Sequence, residues 1–143
     1  MTLEIEDSHK QVLNLVVPAR AEYLSLVRLV VAAAAKDQGF TDESVADIKV
    51  ALSEASTNVV KHAYAGNCAA GHVIQIACFE EPDRFVVDVL DYGRGMPLPP
   101  PASEGGLGFG IMGSLMDKVD VETGDTGTTV HLAKSFSTSR HAA

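Results

Sequence analysis

Ala51-Leu-Ser-Glu-Ala-Ser-Thr-Asn-Val-Val-Lys-His-Ala-Tyr64 is the stretch that decides the fold. Its apolar spacing predicts a helix, which starts at about Thr41 and runs to about Tyr64. Thr41 is a suitable N-cap, and Asp42 and Glu43 suit the positive end of the helix. Val45, Ile48, Leu52, Ala55 and Val59 form an apolar stripe for a core. Asp47, Glu54, Asn58 and Lys61 share the polar face, with Glu54 and Asn58 one turn apart. A solvated surface helix also carries such residues. Asn58, however, is a poor helix former deep inside a helix, and its amide oxygen is a hard ligand suited to Mg2+. A glutamate one turn earlier can accept a proton from a hydroxyl or water attacking a γ-phosphate.

Two glycine clusters follow, Asp91-Tyr-Gly-Arg-Gly95 and Gly105-Gly-Leu-Gly-Phe-Gly110. An aspartate on the floor of a cleft can accept a hydrogen bond from an adenine amine. Gly93 would let the base approach closely, and Gly95 would let the chain turn away. The second cluster precedes a predicted helix over about Phe109 to Asp117, where free amides bind anions. Gly108-Phe-Gly-Ile-Met-Gly113 also matches the dinucleotide fingerprint, but that fingerprint needs a strand before it and an acid ~20 residues beyond. Here a Pro-rich loop precedes it and Thr129 to Ala133 contain no acid, so a Rossmann site is rejected. No phosphate-binding loop of the Gly-Lys-Ser/Thr type occurs. Gly127-Thr-Thr129 fits hairpin chemistry, and Thr128 can also reach toward a base pocket. His62 reads as a helix-end residue, and the His residues show no metal-ligand spacing.

Around these pieces the chain alternates strands and helices. Gln11 to Val17 reads as a strand ended by Pro18, and Ala21 to Asp37 as a helix stopped at Gly39. That helix has only Glu22, Ser25 and Arg28 on its polar face, so it is expected to be sandwiched, or else to serve as a contact face. His72 to Phe79 and Arg84 to Leu90 form a hairpin that delivers Asp91 to its C-terminal end. Residues 96–104 hold four prolines and form a loop between the glycine clusters. Val119 to Thr123 and Thr128 to Ala133 form a final hairpin. The order β-α-α-β-β-α-β-β predicts an α+β two-layer sandwich: a mixed, mostly antiparallel sheet with helices on one face. One domain is expected over residues 1–134, with a polar, frayed tail over 135–143.

At 143 residues and 46% hydrophobic, the chain can bury one aliphatic core. A net charge of −8 argues against direct nucleic-acid or membrane binding and favours a partner with a basic surface. Cys68 and Cys78 fit no zinc or redox motif and read as reduced thiols of a cytoplasmic protein. The acidic N-terminus does not read as a signal peptide, and the apolar run Leu29 to Ala35 is too short to span a bilayer.

These residues, in this order, resemble the GHKL ATPase superfamily of gyrase, Hsp90, histidine kinase and MutL types. The helix with Glu54 and Asn58 looks like the N-box, and Asp91-Tyr-Gly-Arg-Gly95 looks like the first glycine box. Gly106-Leu-Gly108 and Gly127-Thr128 look like the second box and its following strand. Leu52 to Asn58 with His62-Ala-Tyr64, Gly106 to Met112 with Leu115-Met-Asp117, and Gly127-Thr-Thr-Val130 are most similar to anti-sigma-factor serine kinases of the RsbW and SpoIIAB type. The resemblance implies a Bergerat fold, ATP with Mg2+, and a homodimer. It implies capture of a sigma factor and serine phosphorylation of a STAS-type anti-anti-sigma protein. By the same resemblance Glu54 is the general base and Asn58 the Mg2+ ligand. Asp91, Gly93, Gly95 and Thr128 serve the adenine, Gly106, Leu107 and Gly108 the phosphates, and Arg28 a protein partner. The segment corresponding to that family's ATP lid is short here and lacks lysine beyond Arg94. A non-catalytic nucleotide-binding adapter is the alternative that this lid keeps open.

Overall fold

A computed structural model describes residues 9–63, 71–93 and 105–136, with the side chains of 105–109 set aside. Strand β1 (Lys10–Pro18) leads through a 3-10 turn (Ala21–Tyr23) into helix α1 (Leu24–Asp37). Helix α2 (Asp42–Asn58) continues as a π-helical turn (Val59–Ala63). Strands β2 (Val73–Glu80) and β3 (Arg84–Asp91) form a hairpin. Helix α3 (Gly105–Leu115) is followed by a second hairpin, β4 (Lys118–Gly124) and β5 (Gly127–Ser135). The sheet has the order β1-β2-β3-β5-β4. All its described pairings are antiparallel, and β1 carries a register irregularity between Gln11 and Leu13.

The core lies between the sheet and the helices. Alternation along the strands turns Ile74, Ile76, Phe85, Val87, Val89 and Leu132 inward, where all are fully buried. They meet Val27, Val31 and Ala35 of α1 and Ile48, Leu52 and Ala55 of α2. Each such side chain contributes about 2 kcal/mol by leaving water. Thr41 caps α2, its hydroxyl oxygen accepting from the Ser44 amide at 3.2 Å. Gly39 ends α1 with φ 89°, a conformation that costs glycine little. Cys78 lies in the core, where burial, then the charge of Asp88, pushes its thiol up to about 12 and keeps it unreactive. Cys68 lies outside the described residues.

Four sequence expectations are corrected. Helix α1 is not sandwiched: one stripe is buried, but Leu26 and Leu29 are 44% and 68% exposed. With one layer of helices on the sheet, only one side of α1 finds a partner. Regular α2 ends at Asn58 rather than near Tyr64, because the ladder widens into the π-turn. Helix α3 begins at Gly105 instead of Phe109, so the glycine cluster lies inside the helix. Glycine disfavours a helix by about 1 kcal/mol each, yet packing on α2 overrides that cost. The ordered chain also extends past residue 134. Lys134 is buried and Phe136 stacks on Phe40 at 5.3 Å.

On the open face of the sheet, His131 bridges two carboxylates. Its Nδ1 is 2.6 Å from Asp88 Oδ1 and its Nε2 is 2.6 Å from Glu122 Oε2. Both ring nitrogens face acceptors, so only the imidazolium satisfies both contacts. Burial works to lower the His131 pKa, but the bonds to Glu122 and Asp88 outweigh it and the net direction is upward. Burial also pushes Asp88 up, with His131 offsetting only part. A folded pKa above the unfolded one gives stabilisation that is present below the unfolded value and lost as pH rises through the folded value. The histidine therefore makes the fold less stable as the medium turns alkaline. We expect the melting temperature to fall by a few degrees between about pH 6 and about pH 9. The His131→Gln variant should lose most of that slope, and thermal denaturation across the range checks it.

Candidate functional site

Asp91 is the last residue of β3 and is 3% exposed. Its Oδ1 accepts from the Gly93 amide at 2.9 Å, and the Thr128 amide also donates to the carboxylate. Burial raises the Asp91 pKa, and these two amides only partly offset it. The carboxylate is thus under-solvated and would gain from a further donor, such as an exocyclic amine. Thr128 pairs with Asp91 across the β3–β5 ladder and is also buried. Its hydroxyl shares a 2.8 Å hydrogen bond with Thr123.

The glycines around Asp91 have a different reason than expected. A Cβ on Gly93 would sit 2.0 Å from the Ala63 carbonyl oxygen. The position that a Cβ would take at Gly93 is filled by the π-turn at the end of α2. Gly127, at φ 152°, would place a Cβ 2.2 Å from the Asp91 carbonyl oxygen. Backbone therefore packs on backbone on both sides of Asp91. Ala63 gave no sequence signal, because a carbonyl carries no residue type.

Asn58 closes the regular part of α2. Its amide nitrogen is buried and has no hydrogen-bond partner among the described residues. The described residues do not hold that end of the side chain, and the amide oxygen is a hard ligand atom. Among the described residues no group of three His, Cys, Asp or Glu could hold a metal. Mg2+ borne by phosphates needs few protein ligands, so a single amide donor fits it and a caged ion does not.

Glu54 opens on a groove of about 300 Å3 between α1 and α2, lined by Arg28, Ala46, Lys49, Val50, Ser53 and Glu54. The groove brings Arg28 and Glu54, distant in sequence, to one surface. Lys49 joins them, a residue that no spacing in the sequence marked. Arg28 donates to Ser25 Oγ at 3.0 Å. Gly106, Leu107 and Gly108 lie in the first turn of α3, where backbone amides lack helical partners and the dipole is positive. Gly95, Arg94 and the Pro-rich segment 96–104 lie outside the described residues.

A two-layer sandwich with a buried acid at a strand end, an asparagine helix beside it and a glycine-rich helix N-terminus defines a nucleotide-binding module. The chain belongs to the histidine kinase-like ATPase domain family, whose model matches residues 17–134. It is similar to the serine-protein kinase RsbW of Bacillus licheniformis, 35% identical over 139 residues, covering 86% of this chain and 84% of that protein. It is also 37% identical over 133 residues to the serine-protein kinase RsbW of Bacillus subtilis, covering 82% of this chain and 81% of the relative. A solved structure of the RsbU and RsbW domains of Rv1364c from Mycobacterium tuberculosis superposes with a TM-score of 0.67 at 25% identity. The match covers 91% of this chain and 32% of that one.

The close approach at Gly93 is directly testable. Gly93→Ala forces the β3 end and the π-turn apart, so it should destabilise the fold by about 2 kcal/mol. It should also weaken nucleotide binding by displacing Asp91. Denaturant unfolding together with nucleotide titration measures both.

Proposed function

We propose that this chain is an ATP-dependent protein serine kinase that also acts as an anti-sigma factor. The observation that carries the reading is Asp91, buried at the end of β3 and held by the amides of Gly93 and Thr128, with Gly93 packed on the turn that continues the helix bearing Glu54 and Asn58. Asp91 takes the adenine amine, with Gly93, Gly95 and Thr128 shaping its surroundings. The amides of Gly106, Leu107 and Gly108 take the phosphates at the α3 N-terminus. Asn58 would hold Mg2+, which when bound neutralises phosphate charge. Glu54 accepts the proton of the substrate serine hydroxyl. The serine oxygen then forms a bond to the γ-phosphorus, the bond from that phosphorus to the bridging oxygen breaks, and ADP leaves with the electron pair.

The protein substrate is a STAS-type anti-anti-sigma factor, and the captured protein is a sigma factor. The Arg28 groove supports this reading of the partner surface. It joins the proposed base to the cations of Arg28 and Lys49 and to exposed Val50. A homodimer in the cytoplasm completes the reading. Among the described residues no helix is long and apolar enough to cross a membrane. A second reading, a nucleotide-binding adapter without phosphotransfer, is favoured by the short Pro-rich segment 96–104.

Phosphotransfer from labelled ATP to an anti-anti-sigma protein separates the two. Glu54→Gln should slow transfer by at least about 100-fold, the usual worth of a general base, with ATP affinity retained. Transfer at the wild-type rate removes Glu54 from that role. Nucleotide-dependent partner binding without phosphoprotein supports the adapter. Asn58→Ala should abolish the Mg2+ dependence of ATP affinity in calorimetry. Arg28→Glu should weaken partner capture by about tenfold without changing ATP affinity, as expected for the loss of a charged contact in a groove.

A further inference from the structure

Lys134 is a charged residue on the core side of the sheet. Along β5 the inward positions are Thr128, Val130, Leu132 and then Lys134, which is 8% exposed. Buried lysine is rare unless its ammonium is paired. Here Nζ donates to the carbonyl of Leu115, the last residue of α3, and lies 3.4 Å from Asp47 Oδ2 on α2. A cation at a helix C-terminus complements the dipole and satisfies an orphan carbonyl. Two more bonds fasten the same end. The Asp117 amide donates to the Ala133 carbonyl at 2.9 Å, and the Ser135 amide donates to Asp117 Oδ2 at 2.7 Å.

The other end of α3 is the glycine turn. Among its described residues, Gly110 and Gly113 add no side chain to the packing of this helix. Met112 and nearby Met116 are buried, but methionine packs adaptably and fixes a helix poorly. Lys134 supplies the charged part of the polar tie at this end, beside the bonds of Asp117. Its geometry matches the site. Helix α3 packs on α2, and its 11 residues span about 15 Å. Asp47 and Asn58, both on α2, are separated by about 16 Å along the axis. An antiparallel course along α2 from the level of Asp47 would bring the glycine turn of α3 level with Asn58.

Resting on the nucleotide site proposed above, we propose that Lys134 is a positioning residue for the phosphate end of the nucleotide, acting through α3. The adenine end is independent of it, because Asp91 is held by Gly93 and Gly127 on the sheet. The test compares ATP with AMP, each competing against a fluorescent nucleotide on the full chain. Lys134→Met should weaken ATP by about tenfold, the size expected for a lost charge-assisted hydrogen bond, and change AMP by less than about twofold. The KM for ATP should rise with little change in kcat, and Lys134→Arg should restore most of the loss. Unchanged ATP affinity, or equal losses for ATP and AMP, overturns the proposal. Should Lys134→Met not fold, Asp47→Asn should weaken ATP alone by about threefold through loss of the charge partner. A wild-type ATP-to-AMP ratio in that variant overturns the proposal equally. The competition readouts need binding only, so a wild-type chain that holds ATP but transfers no phosphate defeats the kinase reading and leaves that part of the test intact.

Discussion

The close packing of backbone around Asp91 is the contact on which the site depends. A buried carboxylate must be solvated by something, and here backbone amides of Gly93 and Thr128 do it. Those amides reach the carboxylate only because the chain on either side comes to van der Waals contact. On one side Gly93 lies on the Ala63 carbonyl, and on the other Gly127 lies on the Asp91 carbonyl. Neither contact leaves room for a Cβ. The π-turn matters for the same reason. Its widened ladder carries the end of α2 onto the end of β3, and so couples the helix bearing Glu54 and Asn58 to the strand bearing Asp91.

The two layers divide the work. The sheet and its strand ends hold the acid and its partners through ladder register, which a one-residue slip would invert. Under the proposed function the helices hold the anion-binding and base groups, and they are restrained by side chains instead. Helix α2 is restrained by a full apolar stripe, with Ile48, Ala51 and Leu52 completely buried. Helix α3 packs on α2, and among its described residues Met112 is fully buried while Gly110 and Gly113 carry no side chain. Under the proposed function it bears the turn with the free amides.

The architecture was legible from periodicity. Val45, Ile48, Leu52, Ala55 and Val59 announced the buried face of α2, and all five are buried. The strand alternation and the turn residues placed both hairpins within a residue or two. Asp91 at a strand end was legible too. The reason for Gly93 was not, because the atom that fills its empty Cβ position belongs to a backbone carbonyl in another element. Nor was the start of α3, where helix propensity pointed away from the glycines and tertiary packing outweighed it. The burial of Lys134 at the expected end of the domain was not legible, because its partners, Leu115 and Asp47, are distant in sequence. Single-residue chemistry was readable. Contacts made by the backbone, or closed by long-range pairing, were not.

The groove beside Glu54 ties regulation to chemistry under the proposed function. The chain is acidic overall, yet Arg28 and Lys49 face this one groove together with Glu54. Long-range attraction would therefore be weak or repulsive for an acidic partner, while the local cations reward it at contact. Exposed Val50 gives the groove an apolar patch that is costly to leave in water. A protein seated on that patch also covers the carboxylate that would accept the serine proton. A captured protein and a phosphorylation substrate thus cannot both occupy it. On this geometry, competition between the two partners needs no conformational signal, because one groove of about 300 Å3 serves both.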